Sequence, residues 1–272
     1  MERSCSPVHP PLLPLSSSAL LSNVTCSSHP LYKGEHTSLS ALSSVVPTIC
    51  PHSYGYGALS SSPGEFFLVT SCLNLSPSKP SYGSGLSLAH KLAKLHSTPA
   101  PIPSGHDTPR FGFPVPTACG STIQDNTFSS SWADFFSNQR LAHILHLIQS
   151  TQGSDPDLAD FINRTISIVV PRLLAPGHLR QGGSGEEIVP VLVHGDLWSG
   201  NHGKGKMDDV EGGGVEEVAF DPSACWAHGE YEWGIMRMFG GFGGRFEKEY
   251  GEVKGKDEPV EEWEDRVELY EL

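Results

Sequence analysis

Long apolar runs, paired cysteines and basic clusters are all scarce in this chain, and each scarcity removes a class of function. No stretch reaches the eighteen or so apolar residues that a membrane span needs. Residues 12–21 come nearest, but Pro14 and a serine run break them and a single arginine precedes them, so neither a span nor a signal peptide is expected. Lys and Arg number 18 against 31 Asp and Glu, a formal net charge of -13. Without a cluster of cations to meet a phosphate backbone, nucleic acid is excluded as a partner. The six cysteines, Cys5, Cys26, Cys50, Cys72, Cys119 and Cys225, are scattered, with no C-x-x-C pair and no histidine at ligand spacing. Neither a zinc site nor a disulfide scaffold follows, and a reducing, cytoplasmic compartment is expected.

Against these absences stands one dense block, His194-Gly195-Asp196-Leu197-Trp198-Ser199-Gly200-Asn201, followed by Phe220-Asp221-Pro222. An acid at Asp196 can orient a hydroxyl and accept its proton. An amide five residues later, at Asn201, can curl back onto a metal ion carried by nucleotide phosphates, and Asp221 supplies a harder oxygen ligand. This spacing is that of a kinase catalytic loop with its later metal-binding aspartate, because phosphoryl transfer needs positioning and charge neutralisation more than covalent help. The apolar run at 189–193 predicts a buried strand entering the loop, and 215–220 a second strand ending on Asp221.

The remaining punctuation divides the chain into 1–30, Ser/Pro-rich and without periodicity; 31–80, a partial small lobe; and 81–272, a large lobe. Glu35, Leu39, Leu42 and Val45 predict an amphipathic helix that Pro47 stops, and residues 66–75 a β-rich strand. A loop with Pro77, Pro80, Gly83 and Gly85 follows. Helices are predicted over 86–96, 132–150, 158–174 and 231–239, and one begins at 260–269. Glycines 203, 205, 212, 213 and 214 read as a hairpin tip.

Through the catalytic block, residues 220–232 and Phe239-Gly240-Gly241-Phe242, the chain resembles the fructosamine-3-kinase, or ketosamine-3-kinase, family. The likeness extends back through Phe111-Gly112-Phe113, Gln124-Asp125-Asn126 and Trp132-Ala133-Asp134-Phe135-Phe136 to Gly34-Glu35. It implies an α+β, protein-kinase-like two-lobe fold of the aminoglycoside phosphotransferase type, with an incomplete small lobe. The implied reaction is ATP- and Mg2+-dependent phosphorylation of the 3-hydroxyl of ketosamines, ribulosamine or fructosamine adducts on glycated proteins or as small molecules. Breakdown of the phosphorylated adduct then returns the free amine.

Carried onto this sequence, the resemblance implies Asp196 as catalytic base and Asn201 and Asp221 as magnesium ligands. Trp198 and His194 would line the sugar cleft. Glu35 would be the helix glutamate that pairs with a phosphate-binding lysine. Thr70, Ser71, Cys72 and Leu73 would form the hinge that holds adenine. Glu230 and Glu232 would brace the loop, with His228 structural. The pattern breaks where a glycine-rich turn and a strand lysine should precede Glu35: no G-x-G turn and no lysine occur before Lys33, which shares the helix. Gly83-Ser84-Gly85 follows the hinge and cannot replace the turn. A truncated gene product is therefore expected. An inactive, sugar-binding pseudokinase and an aminoglycoside or choline kinase remain as alternatives.

Overall fold

The computed structural model describes residues 19–24, 29–75, 85–207 and 214–272. The loop at Pro77, Pro80 and Gly83 and the hairpin tip at Gly212 and Gly213 lie outside them.

The small lobe pairs β1 (Ala19–Val24), β2 (Ser53–Ala58) and β3 (Phe66–Ser71) into an antiparallel sheet with β3 in the centre. Two of these strands depart from expectation. The stretch 1–30 contributes β1, which covers one edge of β3, and β2 (Ser-Tyr-Gly-Tyr-Gly-Ala) carries two glycines that hide its alternation. The predicted strand 66–75 is split. After Ser71 the chain steps through Cys72 into β4 (Leu73–Leu75), which leaves the small-lobe sheet and pairs with β8 (His202–Met207) of the large lobe. The expected hinge is thus a change of sheet within four residues.

Helix α1 (His29–Val45) lies between the lobes. Its apolar face buries Leu39 and Leu42, and its other contacts are close ones. A Cβ at Gly34 would meet the Pro116 carbonyl oxygen at 2.8 Å, so α1 sits directly on β5 (Thr117–Cys119), which hairpins with β6 (Thr122–Gln124). Ser38 Oγ, buried, accepts from the Ala224 amide at 3.2 Å and ties the helix to the chain that follows Asp221.

In the large lobe, α2 (Leu88–His96) is capped by Ser87, whose hydroxyl accepts from His90 N, and buries Leu88, Leu92 and Leu95. Burial of each such leucine stabilises by about 1.5–3 kcal/mol and the cap by about 1 kcal/mol. Lys91 on the same helix is fully buried, and its ammonium donates to Glu216 Oε2 at 2.6 Å, Thr48 O at 2.9 Å and Glu217 O at 2.8 Å. It binds α2 to β9 (Glu216–Ala219), the strand that leads to Asp221. The strong periodicity of 132–150 is realised as α3 (Trp132–Phe135), a π-helical stretch Phe136–Ala142 and α4 (His143–Gln152). The helix expected over 158–174 is α5 (Pro156–Arg164), a second π stretch Thr165–Val169 and α6 (Val170–Leu174). Strand β7 (Val191–Val193) is wholly buried, pairs with β10 (Cys225–Ala227) and delivers His194. Helices α7 (Glu232–Phe239), α8 (Gly244–Gly251) and α9 (Trp263–Tyr270) close the lobe around Trp233, whose ring meets Phe246, Tyr250 and Trp263, and Trp132 of α3 donates from Nε1 to Tyr270 Oη at 2.8 Å. Helix α8, with little apolar periodicity, was not expected. Gly203 and Gly205 lie within β8 rather than at a tip, and the close approach of β4 explains Gly205, where a Cβ would meet Asn74 O at 2.8 Å. No helix among the described residues is long and apolar enough to cross a membrane.

Candidate active site

Two strand ends build the site. Strand β7 ends at Val193, and the chain turns at Gly195, whose φ of 80° and contact with the Ser223 carbonyl leave no room for a Cβ. Strand β9 ends at Ala219, and Asp221 follows with a φ of 59°, the one described non-glycine residue in the left-handed region. Aspartate tolerates that region better than most residues, yet holding it there still costs free energy that surrounding structure must offset. Part of the restraint is visible one residue earlier, where the Phe220 amide donates to Asn201 O at 2.9 Å.

The loop is closed on itself. Asn201 Nδ2 donates to Asp196 O at 2.9 Å and to Asp196 Oδ2 at 3.1 Å, while the Asn201 amide donates to Trp198 O at 2.9 Å. Asn201 Oδ1 makes no hydrogen bond among the described residues. The other carboxylate oxygen, Asp196 Oδ1, accepts from the Cys119 thiol at 3.4 Å, a contact across 77 positions of sequence that no spacing rule announces. Burial pushes the Asp196 carboxyl up to about 6, with the charges of Asp221 and Glu232 adding to it and the Cys119 and Asn201 bonds opposing. Burial likewise pushes the Cys119 thiol up to about 12, Asp196 reinforcing it, so Cys119 is a neutral donor.

Beneath the loop lies Glu232, fully buried at the start of α7. Its Oε2 accepts the His194 amide and its Oε1 the Gly195 amide at 2.9 Å. A carboxylate receiving two consecutive backbone donors fixes the loop where it enters the cleft. Burial alone would raise its pKa, but His96 beside it and the charge and backbone amide of His194 hold it below the usual range, so Glu232 is an anion. Glu230 points elsewhere, into an ion pair with Arg266 Nε at 2.7 Å.

His194 does not reach the cleft. It is wholly buried, its Nε2 lies 3.2 Å from Phe220 O and its Nδ1 accepts the Asp196 amide at 3.3 Å. Those bonds require the Nε2–H tautomer, and burial lowers its pKa, keeping it neutral. The substrate contact expected of His194 is therefore replaced by a bracing one that ties both strand ends together. Trp198 is half-buried, its indole against Phe239 at 5.5 Å between ring centroids and over Gly200, where a Cβ would collide with it.

Glu35 on α1 is close enough to Asp221 for the two charges to repel. Burial first, and Asp221 second, push the Glu35 carboxyl up to about 7. No lysine or arginine pairs with Glu35 among the described residues, and Lys33 is exposed on the same helix. Of the hinge residues, Thr70 and Ser71 end β3, with Ser71 N–H donating to His52 O at 2.8 Å; Leu73 begins β4, and Cys72 lies between, outside both ladders.

The family model described as Fructosamine kinase matches residues 21–272. Among curated proteins, the chain is 31% identical over 240 residues to a chloroplastic protein-ribulosamine 3-kinase of Oryza sativa subsp. indica, covering 88% of this chain and 61% of that protein. It is 32% identical over 163 residues to the ketosamine-3-kinase of Mus musculus, covering 60% of this chain and 46% of that one. The chain thus spans less than two thirds of the length of these relatives. Among solved structures, a candidate fructosamine-3-kinase from Haemophilus somnus superposes with a TM-score of 0.68 at 24% identity, covering 93% of this chain and 73% of that one. Another from Thermobifida fusca gives 0.64 at 23%, covering 89% and 71%. At those identities the superpositions establish the fold alone.

Proposed function

The chain belongs to the fructosamine kinase family, and on that premise we propose that it transfers the γ-phosphoryl group of ATP to the 3-hydroxyl of ketosamines, on glycated proteins or as small molecules. The observation that carries the reading is the clasp between Asp196 and Asn201, with Asp221 presented beside it from the second strand end.

In this reading Asp196 Oδ1 receives the hydroxyl proton, because its partner is only the weakly donating Cys119 thiol while Oδ2 is held by the Asn201 amide. A group buried enough to sit near 6 keeps appreciable basicity while remaining largely ionised at neutral pH. Glu232, through the His194 and Gly195 amides, keeps Asp196 from drifting with the loop. Trp198 offers an apolar ring face to the sugar, and Cys72, at the change of sheet, offers the backbone edge against which adenine would lie.

A hard divalent cation such as Mg2+ fits the donors present: the uncommitted Asn201 amide oxygen and the exposed Asp221 carboxylate are oxygen ligands, and crowded acids invite positive charge. Bound there with the nucleotide, it would neutralise phosphate charge during transfer. Four described cysteines, Cys50, Cys72, Cys119 and Cys225, are unpaired, in keeping with a reducing compartment such as the cytoplasm. The relatives' printed substrates favour ketosamines over aminoglycosides or choline.

The test is phosphate incorporation into ribulosamine and fructosamine adducts, against Asp196→Asn. The variant should lose about 10²–10⁴-fold in rate while still binding the adduct. Equal incorporation by the two proteins would sink the reading.

A further inference from the structure

One fully buried group near the site has no role in the reaction as described. His96, the last residue of α2, is 1% exposed, and its Nε2 has no hydrogen-bond partner. That nitrogen lies 3.7 Å from Oε2 of Glu232, too long for a hydrogen bond. Its other nitrogen, Nδ1, is 2.9 Å from the hydroxyl of Tyr250, at the end of α8. The Glu232 carboxylate facing Nε2 favours the tautomer with the ring proton on that nitrogen, which leaves Nδ1 to accept from the Tyr250 hydroxyl. His96 is held from behind as well, since a Cβ on Gly229 would stand 3.2 Å from its own Cβ.

We propose that His96, its Nδ1 held by Tyr250, is a positioning residue for the catalytic loop, acting through Glu232. The inference rests on the phosphotransfer reading above. An unpartnered N–H buried beside a carboxylate is costly where it stands, and a shift of under an ångström would close the bond. Glu232 Oε2 is the oxygen that already accepts the His194 amide. A second donor on that oxygen restricts rotation of the carboxylate, and with it the swing of the two amides that carry Asp196 into the cleft. Burial holds His96 neutral against the pull of Glu232, so it restrains as a dipole and leaves the carboxylate its charge.

Two readouts test this, one of them independent of turnover. His96→Ala should speed hydrogen exchange at the His194 and Gly195 amides about tenfold, leaving α9 amides such as Val267 unchanged. It should also lower kcat about tenfold with KM for ATP unaltered, as a misplaced loop does. His96→Gln, which places an N–H donor near the position of Nε2, should restore both. Wild-type exchange at the two amides in His96→Ala, or failure of Gln to recover what Ala loses, overturns the proposal. If His96→Ala does not fold, Tyr250→Phe, which removes only the hydroxyl that holds Nδ1, is read in the same way. If the wild-type protein phosphorylates no ketosamine, the phosphotransfer reading fails, while the exchange data still decide whether His96 holds the loop.

Discussion

The carboxylates of Glu35 and Asp221 repel each other across the junction of the lobes, and burial with that repulsion pushes the Glu35 carboxyl up to about 7. The folded value lies above the unfolded value of 4.5, so the stability associated with a protonated Glu35 is fully present below pH 4.5 and is lost as pH rises through about 7. Glu35→Gln should therefore match the parent near pH 4 and exceed it at pH 8, by on the order of 2 kcal/mol. Urea denaturation at the two pH values checks the sign. A difference that does not change with pH would show that Glu35 ionises freely.

The same crowding should make the fold respond to divalent cations. At neutral pH, Mg2+ at ten times its dissociation constant should stabilise the protein by about 1.4 kcal/mol, as any ligand bound only by the folded state does. Asp221→Asn, which removes the exposed carboxylate, should abolish the rise in Tm. A Tm that rises equally in both proteins would place the cation elsewhere.

Asp196 makes its own prediction about pH. Its carboxyl is pushed up to about 6, and a base must be ionised to accept a proton, so kcat/KM should climb as pH rises through about 6 and then level. The Cys119 thiol, donating to Oδ1, holds that value down. Cys119→Ala should accordingly move the acid limb to higher pH, and an unmoved limb would remove Cys119 from the site's electrostatics.

What the sequence disclosed follows the range over which its residues interact. The block from His194 to Asn201 is local, and its internal clasp is a five-residue contact. The helices around Leu39, Leu92 and Leu141 announce themselves because one turn of helix samples only neighbouring positions. Strand β2 was illegible because Gly55 and Gly57 interrupt its alternation, and β1 because its Ser-rich surroundings mask the pairing with β3. Cys119 on Asp196 and His96 beside Glu232 join distant elements, and only the packing of those elements brings them together. The bracing contact of His194 was hidden for the same reason: its partner Phe220 O belongs to the other strand end.

Away from the site, Arg266 is buried completely and donates from Nε to Glu230 Oε2 at 2.7 Å and from Nη2 to Asp257 O at 2.7 Å. His228 Nε2 is 2.9 Å from Asp257 Oδ2, and Lys254 Nζ donates to Asp257 Oδ1 at 2.7 Å. His228, Glu230 and Asp257 have their ligand atoms within 4.8 Å of one another, a metal-like grouping, but the guanidinium and the ammonium already supply its positive charge. EDTA should leave Tm unchanged. Arg266→Met should cost on the order of 3–5 kcal/mol by stranding a buried carboxylate, and the double variant with Glu230→Gln should recover much of that loss. Burial would raise the Asp257 carboxyl, but His228 and then Lys254 hold it well below the usual carboxylate range. A depressed folded value gives stability that is present above the unfolded pKa and lost as pH falls below about 4. The stability gap between the parent and Asp257→Asn should thus be full at pH 7 and narrow steadily under acid titration, and a gap that persists undiminished at pH 3 would mean that packing, not charge, holds this corner of the large lobe.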